Sequence, residues 1–244
     1  IESIIFSRAY GIFITNKLIC YSAEKLIYKS PDYKKEDLLT FNNNIEGVVN
    51  RRLDLPEKEQ YEDCVKLIYK ELPDYKIVHS AVQYNAGNEK YSGDSYSCFS
   101  DGEGYFYAVI CDGMGTGTKA AITSSLAVSL LEKLVKAGFG IEPAIKTINT
   151  CLVSKSGDEC SSSLDLLCVD LYTANAELYK IGSAETVLLN DGDVKTVSSA
   201  SVPIGILSDI CLDSLQCQSV HEGECVVVCI EWLEDDHLVT WITC

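Results

Sequence analysis

From Lys76 onward the sequence predicts a layered α+β domain. Three observations predict it. Short apolar runs come in pairs across turn-forming residues, one pair of helical patterns interrupts them, and too few helices separate the runs for a parallel βαβ sheet.

The elements follow in order. Lys76–Gln83 reads as a strand. Tyr96–Phe99 and Tyr105–Cys111 are aromatic and apolar, and Ser100-Asp101-Gly102-Glu103-Gly104 between them predicts a hairpin. Asp112-Gly113-Met114-Gly115-Thr116-Gly117 is a glycine-rich turn. A helix is predicted from Lys119 to Ala137. Ile122, Leu126 and Leu130 fall on one line, and Ala127, Leu131, Leu134 and Val135 widen it into an apolar stripe. Gly138 ends that helix. Glu142–Val153 predicts a second, with Pro143 in its first turn, where a missing N–H costs little. Ser163–Tyr172 and Ala176–Ile181 pair over Thr173-Ala174-Asn175, and Thr186–Leu189 and Val194–Val197 pair over Asn190-Asp191-Gly192-Asp193. Val226–Ile230 and Leu238–Ile242 are the last expected strands.

Residues 1–75 form a separate N-terminal segment in this reading, ahead of a domain spanning 76–244. Ile4-Ile5-Phe6 and Ile12-Phe13-Ile14 read as short strands, and Asn42-Asn43-Asn44 as a loop. Tyr61, Val65, Ile68 and Tyr69 lie at roughly helical spacing, which predicts a connecting helix from Glu57 to Glu71 closed by Pro73.

Composition narrows the functional classes. The chain has 244 residues, 47% of them hydrophobic, which suffices for a sizeable core. A formal net charge of −16 argues against nucleic acid and anionic membrane as partners, because phosphate backbones repel it. It leaves a phosphorylated substrate open, since a bound divalent cation reverses the local sign. Twelve cysteines are present, but there is no C-x-x-C pair, and His79, His221 and His237 are scattered. That spacing argues against zinc and for buried reduced thiols. No run of about 20 uncharged apolar residues occurs, so this chain itself is expected to make no membrane contact. Glu2, Arg8 and Lys17 break a signal-peptide pattern. The start at Ile1 is expected of a piece of a longer protein. The expected location is cytoplasmic, with any membrane tether in a segment upstream.

Two acidic residues sit beside glycines at strand ends, Asp94 in Ser92-Gly93-Asp94-Ser95 and Asp112 after Val109-Ile110-Cys111. Carboxylates so placed can point into a cleft and bind a hard cation, and magnesium and manganese prefer oxygen ligands. Gly113 leaves its carbonyl unshielded. Glu234-Asp235-Asp236 forms a third acidic cluster before the last strand. Taken singly, Asp-Gly is most often a turn and an acidic triplet a solvated loop. Only their combination raises a metal site above that background. The glycine turn also resembles a phosphate cradle and the Asp-x-Gly-x-Gly box of histidine-kinase-type ATPases. It lacks P-loop and dinucleotide spacing, and no asparagine-bearing helix precedes it.

Ser92-Gly93-Asp94-Ser95-Tyr96-Ser97, Cys111-Asp112-Gly113-Met114-Gly115-Thr116-Gly117, Ser163-Leu164-Asp165-Leu166, Leu178-Tyr179-Lys180-Ile181-Gly182-Ser183-Ala184 and Val202-Pro203-Ile204-Gly205-Ile206-Leu207 follow one another in order. In residues and spacing this resembles the stage II sporulation protein E family of metal-dependent, type 2C phosphatases. The resemblance implies a layered sandwich of two mainly antiparallel sheets flanked by helices. It implies a serine/threonine protein phosphatase with two Mn2+ (or Mg2+) ions and metal-activated water. It makes Asp94 and Asp112 the catalytic carboxylates and metal ligands, Gly113 a carbonyl ligand and Asp235 the final ligand, with Asp236 beside it. The implied partner is a phosphoprotein of the anti-anti-sigma factor type, in sporulation control. It further implies a regulatory role for the connector expected at Glu57–Glu71.

One departure stands out. The family carries Ser-Asp-Gly after the strand matching Val226–Ile230, then a helical segment. Here Glu231-Trp232 stand in that place and only Leu233 and Glu234 precede Asp235. Glu231 is a substitute ligand in this reading. The alternative is a catalytically impaired relative that binds the phosphorylated partner without turnover.

Overall fold

The computed structural model describes residues 18–22, 25–30, 46, 52–55, 57–60, 65–83, 91–154, 160–182, 186–190, 193–198, 200–210, 212–217, 225–229 and 239–243. The chain divides into two compact units, residues 1–73 and 74–244.

The first unit contains a four-stranded antiparallel sheet. Its strands are β1 (Leu18–Ser22), β2 (Lys25–Ser30), β3 (Glu57–Gln60) and β4 (Val65–Lys70), in the order β1-β2-β4-β3. The helix expected at Glu57–Glu71 is therefore wrong. The spacing of Val65 and Tyr69 fits a strand equally well, since Val65, Leu67 and Tyr69 also alternate. Valine, isoleucine and tyrosine favour strands, and β4 finds ladder partners on both sides. Tyr69 is buried and Lys70 exposed, as strand alternation requires. The strands expected at residues 4–6 and 12–14 and the loop at 42–44 lie outside the described residues.

The second unit is a sandwich of two five-stranded sheets. One runs β11-β10-β13-β14-β5, from β5 (Val78–Val82), β10 (Thr186–Asn190), β11 (Asp193–Val197), β13 (Cys225–Cys229) and β14 (Val239–Thr243). The other runs β12-β9-β8-β7-β6, from β6 (Asp94–Ser100), β7 (Tyr105–Asp112), β8 (Leu164–Asp170), β9 (Ala176–Ile181) and β12 (Asp213–Cys217). Every ladder is antiparallel. Helices α1 (Gly117–Lys136) and α2 (Ile141–Ser154) follow β7.

Alternation along β7 divides the core. Tyr107, Val109 and Cys111 face the helices with Leu164, Leu166, Ile181, Leu131 and Ile145. Phe106, Ala108 and Ile110 face the other way with Leu167, Val169 and Leu178, where Val197 of the second sheet packs on them. His79 of β5 lies 5.4 Å from the Phe106 ring, so the two sheets meet face to face.

Helix α1 turns a different face inward from the stripe its sequence suggests. Ile122 is 57% exposed and Leu126 36%, while Ala120, Thr123, Ser124, Ala127, Val128, Leu131 and Val135 are buried. The front half thus packs on small residues and hydroxyls. This allows a short approach to β6, where Ser95 and Ser124 share a 2.9 Å hydrogen bond. Further along, Ser97 donates to Glu132 at 2.7 Å and Lys136 to the other oxygen at 2.6 Å. Lys136, then Ser97, hold the Glu132 carboxyl below its usual range.

Five cysteines are described with their side chains, all reduced; Cys111 and Cys168 are buried and Cys151 is exposed on α2. Burial pushes the Cys168 thiol up to about 12 and Cys98 up to about 11. A thiol whose folded pKa is raised stabilises the fold fully below its unfolded pKa and loses that contribution as pH climbs toward the folded value. Chemical stability should therefore fall from about pH 9 upward, toward about 12. At pH 8, alkylation followed by peptide mass spectrometry should modify Cys151 well before Cys168. Equal rates at the two positions would contradict the packing described.

Candidate metal centre

The site is built at one end of the β6–β7 ladder. Register pairs Asp94 with Asp112, Tyr96 with Ile110 and Cys98 with Ala108. Asp112 thus extends the face of Ile110 and Ala108 beyond the apolar core, and Asp94 lies opposite it. Directly opposed side chains in an antiparallel pair have Cβ atoms roughly 4.5–5.5 Å apart, and like charges there repel. The pair therefore favours a cation.

The backbone is fixed with short bonds. The Asp112 carbonyl accepts from the Ser163 amide at 2.9 Å and the Ser162 hydroxyl at 2.7 Å, and its amide donates to the Ser163 hydroxyl at 3.3 Å. Gly113 donates to the Gly93 carbonyl at 3.1 Å. A Cβ on Gly113 would lie 2.2 Å from the Ala120 carbonyl oxygen, so only glycine lets the first turn of α1 sit this close. A Cβ on Gly93 would lie 3.3 Å from the Gly113 carbonyl oxygen. Gly113 is itself buried, and the lack of a side chain on Gly93 leaves room beside its carbonyl oxygen. Carboxylate and carbonyl oxygens are hard donors of the kind magnesium and manganese prefer. Among the described residues no group of three or more His, Cys, Asp or Glu is placed to hold a metal.

Glu231, Asp235 and Asp236 lie outside the described residues. The strands flanking them are described. Cys229 pairs with Val239, and Val239 with Val82. The next residue, Gln83, donates from its side chain to the Asp94 carbonyl at 2.9 Å. Val239, the first described residue after Cys229, therefore lies at the Asp94 end of the sandwich.

Sequence reasoning missed the strongest buried charges. Lys180 of β9 and Asp165 of β8 are register partners, 0% and 3% exposed, and Lys180 Nζ lies 2.6 Å from Asp165 Oδ2. Lys180 also donates to Thr186 Oγ1 at 2.8 Å, and Thr186 donates to Asp165 at 3.3 Å. A charge of each sign inside an apolar strand, Leu164-Asp165-Leu166 and Tyr179-Lys180-Ile181, was the available signal. Burial is the main cause that raises the Cys111 thiol; a hydrogen bond with Ser162 opposes it, and Asp165 and Asp112 add to the rise.

The family model for stage II sporulation protein E (SpoIIE) matches residues 102–229. The chain belongs to the stage II sporulation protein E family. Stage II sporulation protein E of Bacillus subtilis (strain 168) is 36% identical over 135 residues, which is 55% of this chain and 16% of that protein. That of Priestia megaterium is 35% identical over 138 residues, 56% of this chain and 24% of that protein. The chain thus spans a minor part of these curated relatives. The fold is that of type 2C phosphatase domains. The structure of the PP2C phosphatase domain and a regulatory-domain fragment of SpoIIE from Bacillus subtilis superposes with a TM-score of 0.69 at 22% identity, covering 93% of this chain and 81% of that one. RsbX in complex with magnesium gives 0.56 at 14% identity, covering 77% and 98%. Among the described residues no helix is long and apolar enough to cross a membrane.

Two substitutions test this geometry. Asp112→Asn should raise the stability of chelator-treated protein by roughly 0.2–1 kcal/mol through relief of the opposed charges; a lower urea midpoint would contradict that. Gly113→Ala should cost about 1–3 kcal/mol in the same measurement, because backbone must move to admit the methyl group.

Proposed function

We propose that this chain is a serine/threonine protein phosphatase domain acting with two manganese or magnesium ions. Asp94, Asp112, the Gly113 carbonyl and Asp235 would hold them, with Asp236 and Glu231 as additional oxygen donors. The observation that carries this reading is the register pairing of Asp94 with Asp112 next to the Gly113 backbone, within a chain of this family. The position of Val239 beside Val82, whose neighbour Gln83 bonds the Asp94 carbonyl, supports a contribution from Asp235.

When bound, such ions supply acidity that readies water for in-line attack at phosphorus and charge that offsets the phosphoryl oxygens. The chain's own residues do the rest. The opposed carboxylates concentrate negative charge where cations are needed. The Ser162 and Ser163 bonds hold the Asp112 backbone in register. No cysteine or serine nucleophile is needed, consistent with the raised thiols of Cys111 and Cys168. The substrate class is a phosphoserine- or phosphothreonine-bearing protein, of the anti-anti-sigma factor type by family likeness.

A second reading rests on Glu231-Trp232. Only residues 230–238 join the paired ends Cys229 and Val239, with no Ser-Asp-Gly among them. A chain with fewer ligands would bind the phosphorylated partner without turning it over.

Phosphate release from a phosphoserine peptide, measured with and without manganese, separates the two readings. The enzyme reading expects manganese-dependent turnover that falls by at least about 100-fold in Asp112→Ala. Peptide binding without turnover would favour the second reading. Full activity in Asp112→Ala would overturn the first.

A further inference from the structure

We propose that Asn149 of α2 is a positioning residue for the metal site: it clamps residues 203–207, and that segment in turn holds the strand end that carries Asp112. The inference rests on the reading of Asp112 as a metal ligand.

Asn149 is a polar side chain in an apolar place. It is 1% exposed and shares the buried face of α2 with Ile145, Ile148 and Leu152. A group so buried needs hydrogen-bond partners, and both ends of its carboxamide have one. Nδ2 donates to the Leu207 carbonyl at 2.9 Å, and Oδ1 accepts from the Gly205 amide at 2.8 Å. A backbone carbonyl only accepts and a backbone N–H only donates, so one orientation of the carboxamide serves both. The side chain thus grips the backbone on either side of Ile206. Ile206 and Leu207 are each 49% exposed, so the grip does not serve to bury them.

What it does hold leads to Asp112. Ile204 is fully buried and exchanges two backbone bonds with Ser162, at 2.9 and 3.0 Å. Ser162, also fully buried, bridges Gly113 on its other side, and its hydroxyl donates to the Asp112 carbonyl at 2.7 Å. Beside it the Met114 amide donates to the Ser161 carbonyl at 2.9 Å. Residues 112–114, 161–163 and 203–205 therefore lie side by side, with Ser162 in the middle.

The regular ladder has ended at this point. The last register partners of β7 and β8 are Ile110 and Asp165, and beyond them Gly113–Ser162 and Ser162–Ile204 are isolated bridges. An isolated bridge has no neighbouring rungs to keep its register, so the outer segment needs another hold. Part of that hold is steric. A Cβ on Gly205 would lie 2.2 Å from the Cys160 carbonyl oxygen and 3.1 Å from Leu152 Cβ, so the segment is wedged against α2. Apolar contact is non-directional, whereas hydrogen bonds weaken steeply when misaligned. Asn149 supplies the directional part. Loosening residues 203–207 loosens Ser162, and Ser162 is the side chain that fixes the Asp112 carbonyl.

Manganese chloride alone is titrated calorimetrically into the whole chain and its variants, each checked for folding by circular dichroism. Asn149→Leu keeps the size and removes both bonds. Asn149→Ser is too short to make them and decides the matter if Asn149→Leu does not fold. Each should bind manganese on the order of 10-fold more weakly than wild type, as loss of partners behind metal ligands typically does. Val135→Ala, at the end of α1 away from Asp112, lowers stability through a cavity and makes none of these bonds. It should bind like wild type. Hydrogen exchange of the metal-free protein reads the coupling directly. The Ser162, Ile204 and Met114 amides should exchange faster in the Asn149 variants, while those of β8 keep their protection. A merely structural role for Asn149 predicts lower stability with manganese affinity unchanged, as in Val135→Ala. Affinity within about twofold of wild type in a folded Asn149 variant, or unchanged exchange at Ser162, overturns the inference. If wild type binds and Asp112→Ala does not, that failure leaves the metal reading standing. If wild type itself binds no manganese, both fall.

Discussion

The register of β6 against β7 carries the site. Strand side chains alternate between faces, so a slip of one residue would turn Asp112 toward the helices and Cys111 toward the opposite sheet. The alternation Phe106, Ala108, Ile110 prevents this, because these residues fill the sandwich core while Tyr107, Val109 and Cys111 fill the layer beneath the helices. A carboxylate at position 112 then emerges on the sandwich face, opposite Asp94. Apolar burial, worth roughly 1.5–3 kcal/mol for each large side chain, outweighs the few tenths to 1 kcal/mol of repulsion between the paired carboxylates. The core thus holds together an arrangement that electrostatics alone would push apart.

Close backbone approach does the second part. Gly93 and Gly113 sit across from each other, and the first turn of α1 lies against Gly113 with no space for a methyl group. This contact explains why the buried face of α1 begins with Ala120, Thr123 and Ser124 and not with Ile122 and Leu126. Larger residues there would lift the helix from β6 and open the strand end. The glycine-rich turn serves the same need: Gly115 and Gly117 adopt φ of +95° and +74°, which a side chain would strain.

Much of the second unit was legible because its turns are chemically explicit. Hairpins over Asp101–Gly104 and Thr173–Asn175 join strands within a residue or two of those expected. Asp94 and Asp112 were legible as glycine-flanked acids, and the structure makes them partners. Other features followed long-range pairing that local pattern does not carry. Glu57–Glu71 has a spacing that suits either period, and its ladder partners decided for strands. β12 went unseen because Asp213, Ser214 and Gln216 are poor strand formers, tolerated on an edge strand that pairs only with β9. The α1 stripe misled because the helix packs on small residues, whose burial leaves no hydrophobic signature.

Lys180 and Asp165 show why charge inside a strand deserves a physical account. Each ion loses several kcal/mol of hydration on burial, and removing one partner alone typically costs 3–5 kcal/mol. An apolar pair of similar volume would avoid both costs. What the apolar pair would lack is direction. Lys180 has three donors, one aimed at Asp165 and one at a hydroxyl on the facing sheet. That hydroxyl in turn donates back to the carboxylate. A closed set of three bonds across two sheets tolerates far less sliding than methyl groups in contact. The lysine also places a positive charge one row from an acidic strand end in a chain of net charge −16. It offsets Asp165 locally, so that the opposed carboxylates of Asp94 and Asp112 remain the negative pair at the strand end. A polar network in the core is therefore the physical counterpart of the opposed carboxylates at its edge.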